Sequence, residues 1–444
     1  MTRTLLPALL LCALALPARA VTLADSTTVD SWRLDNGLEV RTRAIPGATG
    51  IAVTIAFRAG SGYEPAGREG LSSLLAELEF MGPAGAVPER TRVEMASLRP
   101  LGWESYANER IVRFTEIASP PQLPGVLQQL AARLAGVDVS DALLKATLLQ
   151  VRRDAGARLF GDPATVLYWR ATALARGDTD EKLLRRAGMP GLDRLSAHDA
   201  AEQLRAWYQP GNASLALVGD FGGLDPHALV ASVFGRLPGH GAMPDTVTSH
   251  LHGTRRVTPW KGLAAPVGVV ATMSPPLADS LHPGFFLSML ITAAGVNQAW
   301  GPAPAPLSAR FQYSVIDEPD LVRFYPPVRT DAADPDLLSG ALYEQLQVVG
   351  GQMVTGPIFD RVRRGVRWLL GGELPEEVKQ QFRLGPASMG TLSNGMAMRA
   401  IDHGDAFWAN YLKRFDKTSL GQNYFYDWIT QPDHQTVLLL TPAK

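Results

Sequence analysis

The sequence contains a single cysteine, Cys12, among 444 residues. One thiol excludes a disulfide framework and a cysteine-rich metal cluster. No excess of one charge exists either, since 42 Lys and Arg stand against 43 Asp and Glu. That balance removes the global electrostatic drive for binding nucleic acid. No histidine precedes His198. Imidazole is the usual ligand of a catalytic zinc, so the first part of the chain lacks the side chain such a site needs most. Beyond the first twenty residues no run of about 18 uninterrupted apolar residues occurs, so no membrane span is expected. No Gly-rich loop follows a strand pattern, and a nucleotide site has no support. What is present is a globular composition, 46% hydrophobic and 19% charged with mean hydropathy +0.00. That excludes a disordered chain. At roughly 150 residues per domain the length implies two or three domains.

Residues 1–20 read as a secretory signal peptide. Arg3 gives the positive start, Leu5 to Leu16 the apolar region, and Ala18-Arg19-Ala20 the small-x-small cleavage pattern. Leu11 precedes Cys12 where a lipoprotein signal needs a small residue. Cleavage near Ala20 removes the cysteine and implies a periplasmic or secreted protein.

The mature chain divides into two halves of similar plan. The turn-rich stretch 237–254, with Pro, Gly, Thr and His, reads as a linker between domains at 29–236 and 255–444. In the first half Leu38–Ala44, Ile51–Phe57 and Arg110–Glu116 read as strands. Gln122–Ala135, Ser140–Leu159, Pro163–Arg176 and Ser196–Tyr208 carry helical periodicity. Ile51–Phe57 has a counterpart in Val267–Met273, each strand leading into a helix. The turn and strand Gln209–Val218 have a counterpart in Gln431–Leu440. The plan is an internal duplication. The expected fold class is α+β: two homologous α/β sandwiches, each a mainly antiparallel sheet with helices covering one face.

Several segments, in order, resemble the pitrilysin/insulinase family of zinc metallopeptidases, the inverzincins. They are Leu34-Asp35-Asn36-Gly37-Leu38-Glu39-Val40, Phe57-Arg58-Ala59-Gly60-Ser61-Gly62-Tyr63-Glu64 followed by Gly70-Leu71, Phe80-Met81-Gly82, and Tyr208-Gln209-Pro210-Gly211-Asn212 followed by Val218-Gly219-Asp220. The resemblance implies a helix bearing His-x-x-Glu-His, whose histidines bind zinc and whose glutamate activates water. In this sequence the helix reads Gly70-Leu71-Ser72-Ser73-Leu74-Leu75-Ala76-Glu77-Leu78-Glu79. Leu71, Leu74, Leu75 and Leu78 form a core face. Ser73 and Glu77 fall where the resemblance puts the histidines, and Ala76 where it puts the base. The family's third ligand falls near Asp154, beside Arg152 and Arg153. These residues imply no catalytic group and no bound metal. A serine nucleophile at Ser73 assisted by Glu77 is the weaker reading, because it needs a base and an oxyanion hole as well.

The resemblance also implies an edge strand that holds substrate backbone, matching Trp103 to Arg110 with Glu104 at the position usual for asparagine. It implies an arginine and a tyrosine that hold the substrate carbonyl, for which Arg310 and Tyr313 are the candidates. An odd separation on a strand would turn those two to opposite faces. His250 and His252 form a His-x-His pair that reads as solvated linker. His198 follows the N-cap candidate Ser196. Asn212-Ala213-Ser214 is a formal glycosylation sequon. Arg361, Arg363, Arg364 and Arg367 read as a solvated basic helix face.

The function expected from this combination is a non-catalytic subunit of a heterodimeric periplasmic peptidase. It would close a chamber with a zinc-bearing paralogous subunit, contact peptide substrates, and carry no cofactor of its own. The alternatives are a stand-alone peptide-binding or assembly protein, and an autonomous metallopeptidase with an atypical site.

Overall fold

The computed structural model describes residues 21–22, 29–239, 244, 251–301, 303, 309–315, 317–328, 333–353, 355–367, 383–419 and 428–443. Residues 1–20, read above as a leader, His250 and most of the expected linker at 237–254 lie outside them. Along the first half run β1 (Val21–Thr22), β2 (Asp30–Arg33), β3 (Glu39–Ala44), β4 (Ile51–Phe57), α1 (Leu71–Met81), α2 (Arg92–Leu98), β5 (Trp103–Ala107), β6 (Val112–Ala118), α3 (Leu123–Ala135), α4 (Asp141–Phe160), α5 (Pro163–Ala175), α6 (Asp180–Gly188), α7 (Ala197–Trp207), β7 (Ala213–Gly219) and α8 (Pro226–Phe234). Along the second run β8 (Thr254–Trp260), β9 (Val267–Met273), α9 (His282–Trp300), β10 (Phe311–Ser314), β11 (Glu318–Phe324), α10 (Pro335–Met353), α11 (Gly356–Val366), β12 (Arg383–Leu384), α12 (Pro386–Asp402), α13 (Gly404–Lys417) and β13 (Gln435–Pro442).

Two compact units result, and neither is one continuous stretch. The first draws on Met1–Val151, Met189–Val247 and Arg367–Trp408, the second on Arg152–Gly188, Thr248–Val366 and Ala409–Lys444. The first holds a six-stranded sheet in the order β2-β3-β7-β4-β6-β5. The second holds a five-stranded sheet that reads β8-β13-β9-β11-β10 from its β8 end. Apart from the added β2, the two orders match strand for strand. Each has one parallel pair, β3 with β7 and β8 with β13, among antiparallel neighbours. The α+β duplication expected from the sequence is present in the topology.

The helix arrangement differs from the expectation of one covered face, because helices lie on both faces of each sheet. Alternate residues of β13 face opposite ways. Val437 and Leu439 join a core with Phe285 and Met289 of α9 and Leu338, Leu342 and Leu346 of α10. Leu438 and Leu440 join another with Val166, Leu167, Ala171 and Leu174 of α5. Helix α5 is in the first half of the sequence, yet it covers the sheet of the second unit. The first sheet has the reciprocal device. On one face Phe57 and Phe114 meet Phe80 of α1 and Tyr208, with Phe80 stacked on Phe114 at 4.9 Å. On the other lies α12, from the second half of the sequence. Ser393 Oγ of α12 donates to Ala216 O at 3.0 Å. Small residues let helix and sheet approach this closely: Ser393 also lies 3.4 Å from Ala52 O, and a Cβ on Gly390 would come within 3.6 Å of Ile117. Continuous burial of β4, β6 and β7 follows from cover on both faces.

Among the described residues no helix is long and apolar enough to cross a membrane. Asn212 of the sequon is fully buried and its amide donates to the Trp207 and Arg58 carbonyls at 2.7 and 3.1 Å. It is a structural residue that ties the start of β7 to the end of β4. Ser196 caps α7 in a box with Asp199, and His198 sits exposed in the first turn. Arg361 and Arg364 are exposed, but Arg363 turns back and donates to the Asp416 and Thr418 carbonyls at 2.9 and 2.5 Å, closing the end of α13.

Candidate functional site

Helix α1 starts without a side-chain cap of its own. Gly70 takes φ +94°, and a Cβ there would lie 2.6 Å from the sulfur of Met189, so the position requires glycine. Glu64 supplies the cap from outside the helix, its carboxylate accepting from the Gly70 and Ser72 amides at 3.1 and 3.0 Å. Leu71, Leu74, Leu75 and Leu78 are buried, as their spacing predicts. Ser73 and Glu77 are half-buried, one turn apart. Ala76 is buried. Arg92, the first residue of α2, donates to Glu77 from Nη2 at 3.2 Å and from Nε at 3.4 Å.

This donor set does not fit zinc. Position 76 has a methyl group, position 73 a hydroxyl, and the one carboxylate already carries a guanidinium. A cation at Glu77 would have to displace Arg92. The Glu77 carboxylate also goes to Arg92 rather than to Ser73, so among the described residues no base is seen preparing a serine nucleophile. Asp154 is half-buried on α4. Among the described residues no group of three His, Cys, Asp or Glu could hold a metal ion.

Sequence reasoning missed Glu79. Its side chain points into the apolar face of the first sheet with 4% exposure. Around it lies a network of buried charge. Arg90 and Arg99 hold Glu116 at 3.0 and 2.6 Å, and Arg90 also donates to Gln129 at 2.8 Å. Glu79 and Arg133 border a cavity of about 10 Å³, room for about one water. The Tyr208 hydroxyl has no hydrogen-bond partner among the described residues. Burial pushes the Glu79 carboxyl up to about 8, against the pull of Arg133. Burial, with Arg90 beside it, pushes Arg133 down to about 10. The signal was in the sequence: Ser72, Leu75 and Glu79 share one helix face at i, i+3 and i+7.

The linkage has a definite sign. Below 4.5, its ordinary value, Glu79 is protonated folded or unfolded, and its contribution to stability is intact. As pH rises the unfolded state loses that proton first, and stability falls until about 8. Glu79→Gln is therefore expected to raise the urea midpoint at pH 8 and to flatten its decline from pH 5 upward. Parallel wild-type and variant profiles would show that Glu79 does not titrate in this way.

Strand β5 lies at the edge of the first sheet, paired among the described residues only with β6. Its register is Trp103 opposite Glu116 through Ala107 opposite Val112. Ile117 N donates to Gly102 O, and Asn108 N to Ile111 O, at each end of the ladder. Bonded pairs alternate along an antiparallel ladder. Glu104 and Tyr106 therefore direct their backbone groups to β6, and Trp103, Ser105 and Ala107 direct theirs outward. Glu104 is 48% exposed, and Arg113 donates to it at 2.8 and 3.5 Å. The Arg113 guanidinium lies 4.5 Å from the Tyr106 ring centre. Asn394 of α12 accepts from Arg113 at 2.7 Å, and its nitrogen faces the Thr54 and Thr115 hydroxyls at 2.9 and 2.6 Å.

In the second unit, β10 is an edge strand as well. Arg310 donates from Nη1 to Tyr325 O at 2.9 Å, and its backbone N–H to Asn297 at 2.8 Å. Tyr313 donates to Pro319 O at 3.0 Å and meets His282 Nε2 at 3.0 Å. His282 Nδ1 meets the Tyr411 hydroxyl at 2.8 Å. Burial pushes His282 down to about 3, so the ring is neutral. The same cause pushes the Tyr313 phenol up. The Nη1 and backbone N–H of Arg310 and the Tyr313 hydroxyl thus have separate partners within the second unit, while Arg310 Nε has none among the described residues. His282, which sequence reading did not single out, fixes the Tyr313 hydroxyl from 31 residues away.

Comparison of the sequence with protein-family models and with curated proteins finds no match. Comparison of the structure finds likenesses over nearly the whole chain. A protease from Helicobacter pylori matches with TM-score 0.68 at 15% identity, covering 94% of this chain and 99% of its own. An inactive domain of a peptidase M16 from Pseudomonas fluorescens matches with TM-score 0.61 at 13% identity, covering 94% and 99%. The periplasmic protease PqqL from Escherichia coli matches with TM-score 0.57 at 15% identity, covering 93% of this chain and 47% of PqqL. The chain has the two-unit, pitrilysin-type α+β fold of M16 peptidases.

Proposed function

We propose that this chain is a non-catalytic M16-type subunit of a heterodimeric periplasmic peptidase. Its partner would be a paralogous chain that carries the zinc and the water-activating glutamate. This chain would close the chamber and contribute contacts to peptide substrates, with β5 offering a strand edge in the first unit and Arg310 and Tyr313 lying on or beside β10, an edge strand of the second. The observation that carries the reading is the state of α1: a capped, well-packed helix with Ala76 where the resemblance puts the base and Glu77 bound to Arg92. A well-packed helix scaffold without metal-binding donors suits a structural partner better than an enzyme. The likeness to an inactive M16 domain supports the reading. So does the match to about half of PqqL, a protein described as a periplasmic protease. Residues 1–20 would direct export.

Gentle purification from the host, followed by native mass spectrometry and metal analysis, tests this. The expected result is a one-to-one complex with a zinc-bearing relative, and no peptide hydrolysis by the isolated chain. A single chain that carries zinc and turns over peptide would overturn the proposal. A zinc-free chain found alone or with itself would favour a stand-alone peptide-binding protein.

A further inference from the structure

We infer that the outer edge of β5 selects extended peptides that place a lysine or arginine opposite Glu104. The inference rests on the peptide-contacting role proposed above, and it names the substrate feature that this edge reads. An antiparallel peptide added to β5 would bond the outward backbone groups of Trp103, Ser105 and Ala107. Residues opposite Glu104 and Tyr106 would then fall in non-hydrogen-bonded pairs, where Cα atoms come within about 4.5 Å and side chains are closest. Glu104 and Tyr106 are therefore the positions with most influence over an incoming side chain.

The charge at that position is set by burial. Arg113 is 3% exposed and sits behind Glu104, bound to it and to Asn394, with Tyr106 against its guanidinium. The cation faces inward and the carboxylate is half exposed, so an approaching strand meets the anion. Arg110, nearby in sequence, is committed to Asp402 at 2.8 Å. On the α1 side of the sheet, the more exposed Arg92 is committed to Glu77 at 3.2 Å. Glu104 is also held in place before any peptide arrives, so less side-chain freedom is lost on binding.

Fluorescence anisotropy with the purified mature chain tests the inference. The probes are labelled short peptides of alternating Thr and Val, with Lys, Gln or Glu at one central position. Wild-type protein is expected to bind the Lys peptide roughly fivefold tighter than the Glu peptide, as cross-strand charge pairs imply. Glu104→Gln should collapse that ratio to about one, and Glu104→Lys should invert it. Ser105→Pro should abolish binding of all three peptides while leaving the fold intact by circular dichroism, because the Ser105 N–H points away from β6. A ratio absent in the wild type, or unchanged in Glu104→Gln, overturns the charge preference while leaving a Ser105-dependent peptide contact standing. Binding of no peptide, or binding indifferent to Ser105→Pro, overturns both. A concentration-dependent dimer lost in Ser105→Pro would assign the edge to a second copy of the chain and overturn both.

Discussion

Replacing Arg323 with alanine is expected to lower folding stability by about 3–5 kcal/mol, the cost of breaking a buried ion pair by removing one partner. Arg323 lies on β11 with 2% exposure. Its Nη2 is 2.7 Å from Glu318, and its Nε donates to Thr172 at 3.0 Å. The guanidinium lies 4.2 Å from the centre of the Tyr168 ring, whose hydroxyl donates to Glu318 at 3.0 Å. Tyr168 and Thr172 belong to α5, so Arg323 is the fastening between that helix and the second sheet. Alanine would strand the Glu318 carboxylate with a tyrosine and the more distant Arg176, 3.8 Å away. Removing both charges, as Arg323→Met with Glu318→Met, is expected to cost much less, because no uncompensated charge is left. Urea unfolding of the two variants measures this. Equal losses in the single and double variants would mean that packing, not charge, dominates.

The second large effect concerns the chain as a whole. Expressed separately, residues 21–239 and 251–444 are each expected to fail to fold, and refolded together they should recover a cooperative transition. The first piece retains the first sheet but lacks α12. The second piece retains the second sheet but lacks α5, which would leave Val269, Ala271, Leu321, Leu438 and Leu440 in water at about 25 cal/mol per Å². Arg58 and Arg110, which bind the Ile401 carbonyl and Asp402 at the end of α12, would lose their partners as well. Circular dichroism melts of each piece and of the mixture decide the matter. A cooperative melt from either piece alone would show that the exchanged helix is dispensable.

Much of this molecule was legible in its sequence, for local reasons. Ile51–Phe57 forms a strand over those residues because an uninterrupted apolar run suits a strand covered on both faces. The strand expected at Arg110–Glu116 is found at Val112–Ala118, because the Asn108 side chain accepts from the Arg110 and Ile111 amides and holds them in a turn. The exchange of α5 and α12 was not legible. An apolar helix face states that it must be buried, not against which sheet. Glu79 was passed over because a lone glutamate on a helix is ordinarily solvated, and only its place on the Ser72–Leu75 face argued otherwise. The His282–Tyr313 contact joins residues from different elements, and nothing within either segment announces it.

The exchanged helices also impose a schedule on synthesis. The last strand of the first sheet, β7, is complete at Gly219, but the helix that covers its second face ends at Asp402. At roughly 5–20 residues per second that gap lasts on the order of ten to forty seconds. Throughout it the strands of the first sheet lack the helix that covers their second face, and the second sheet waits longer still for β13. A polypeptide that cannot close either core until almost all of it has been made stays pliable for as long as it is being made. It is thereby suited to handling by chaperones and to passage through a narrow pore before it becomes rigid.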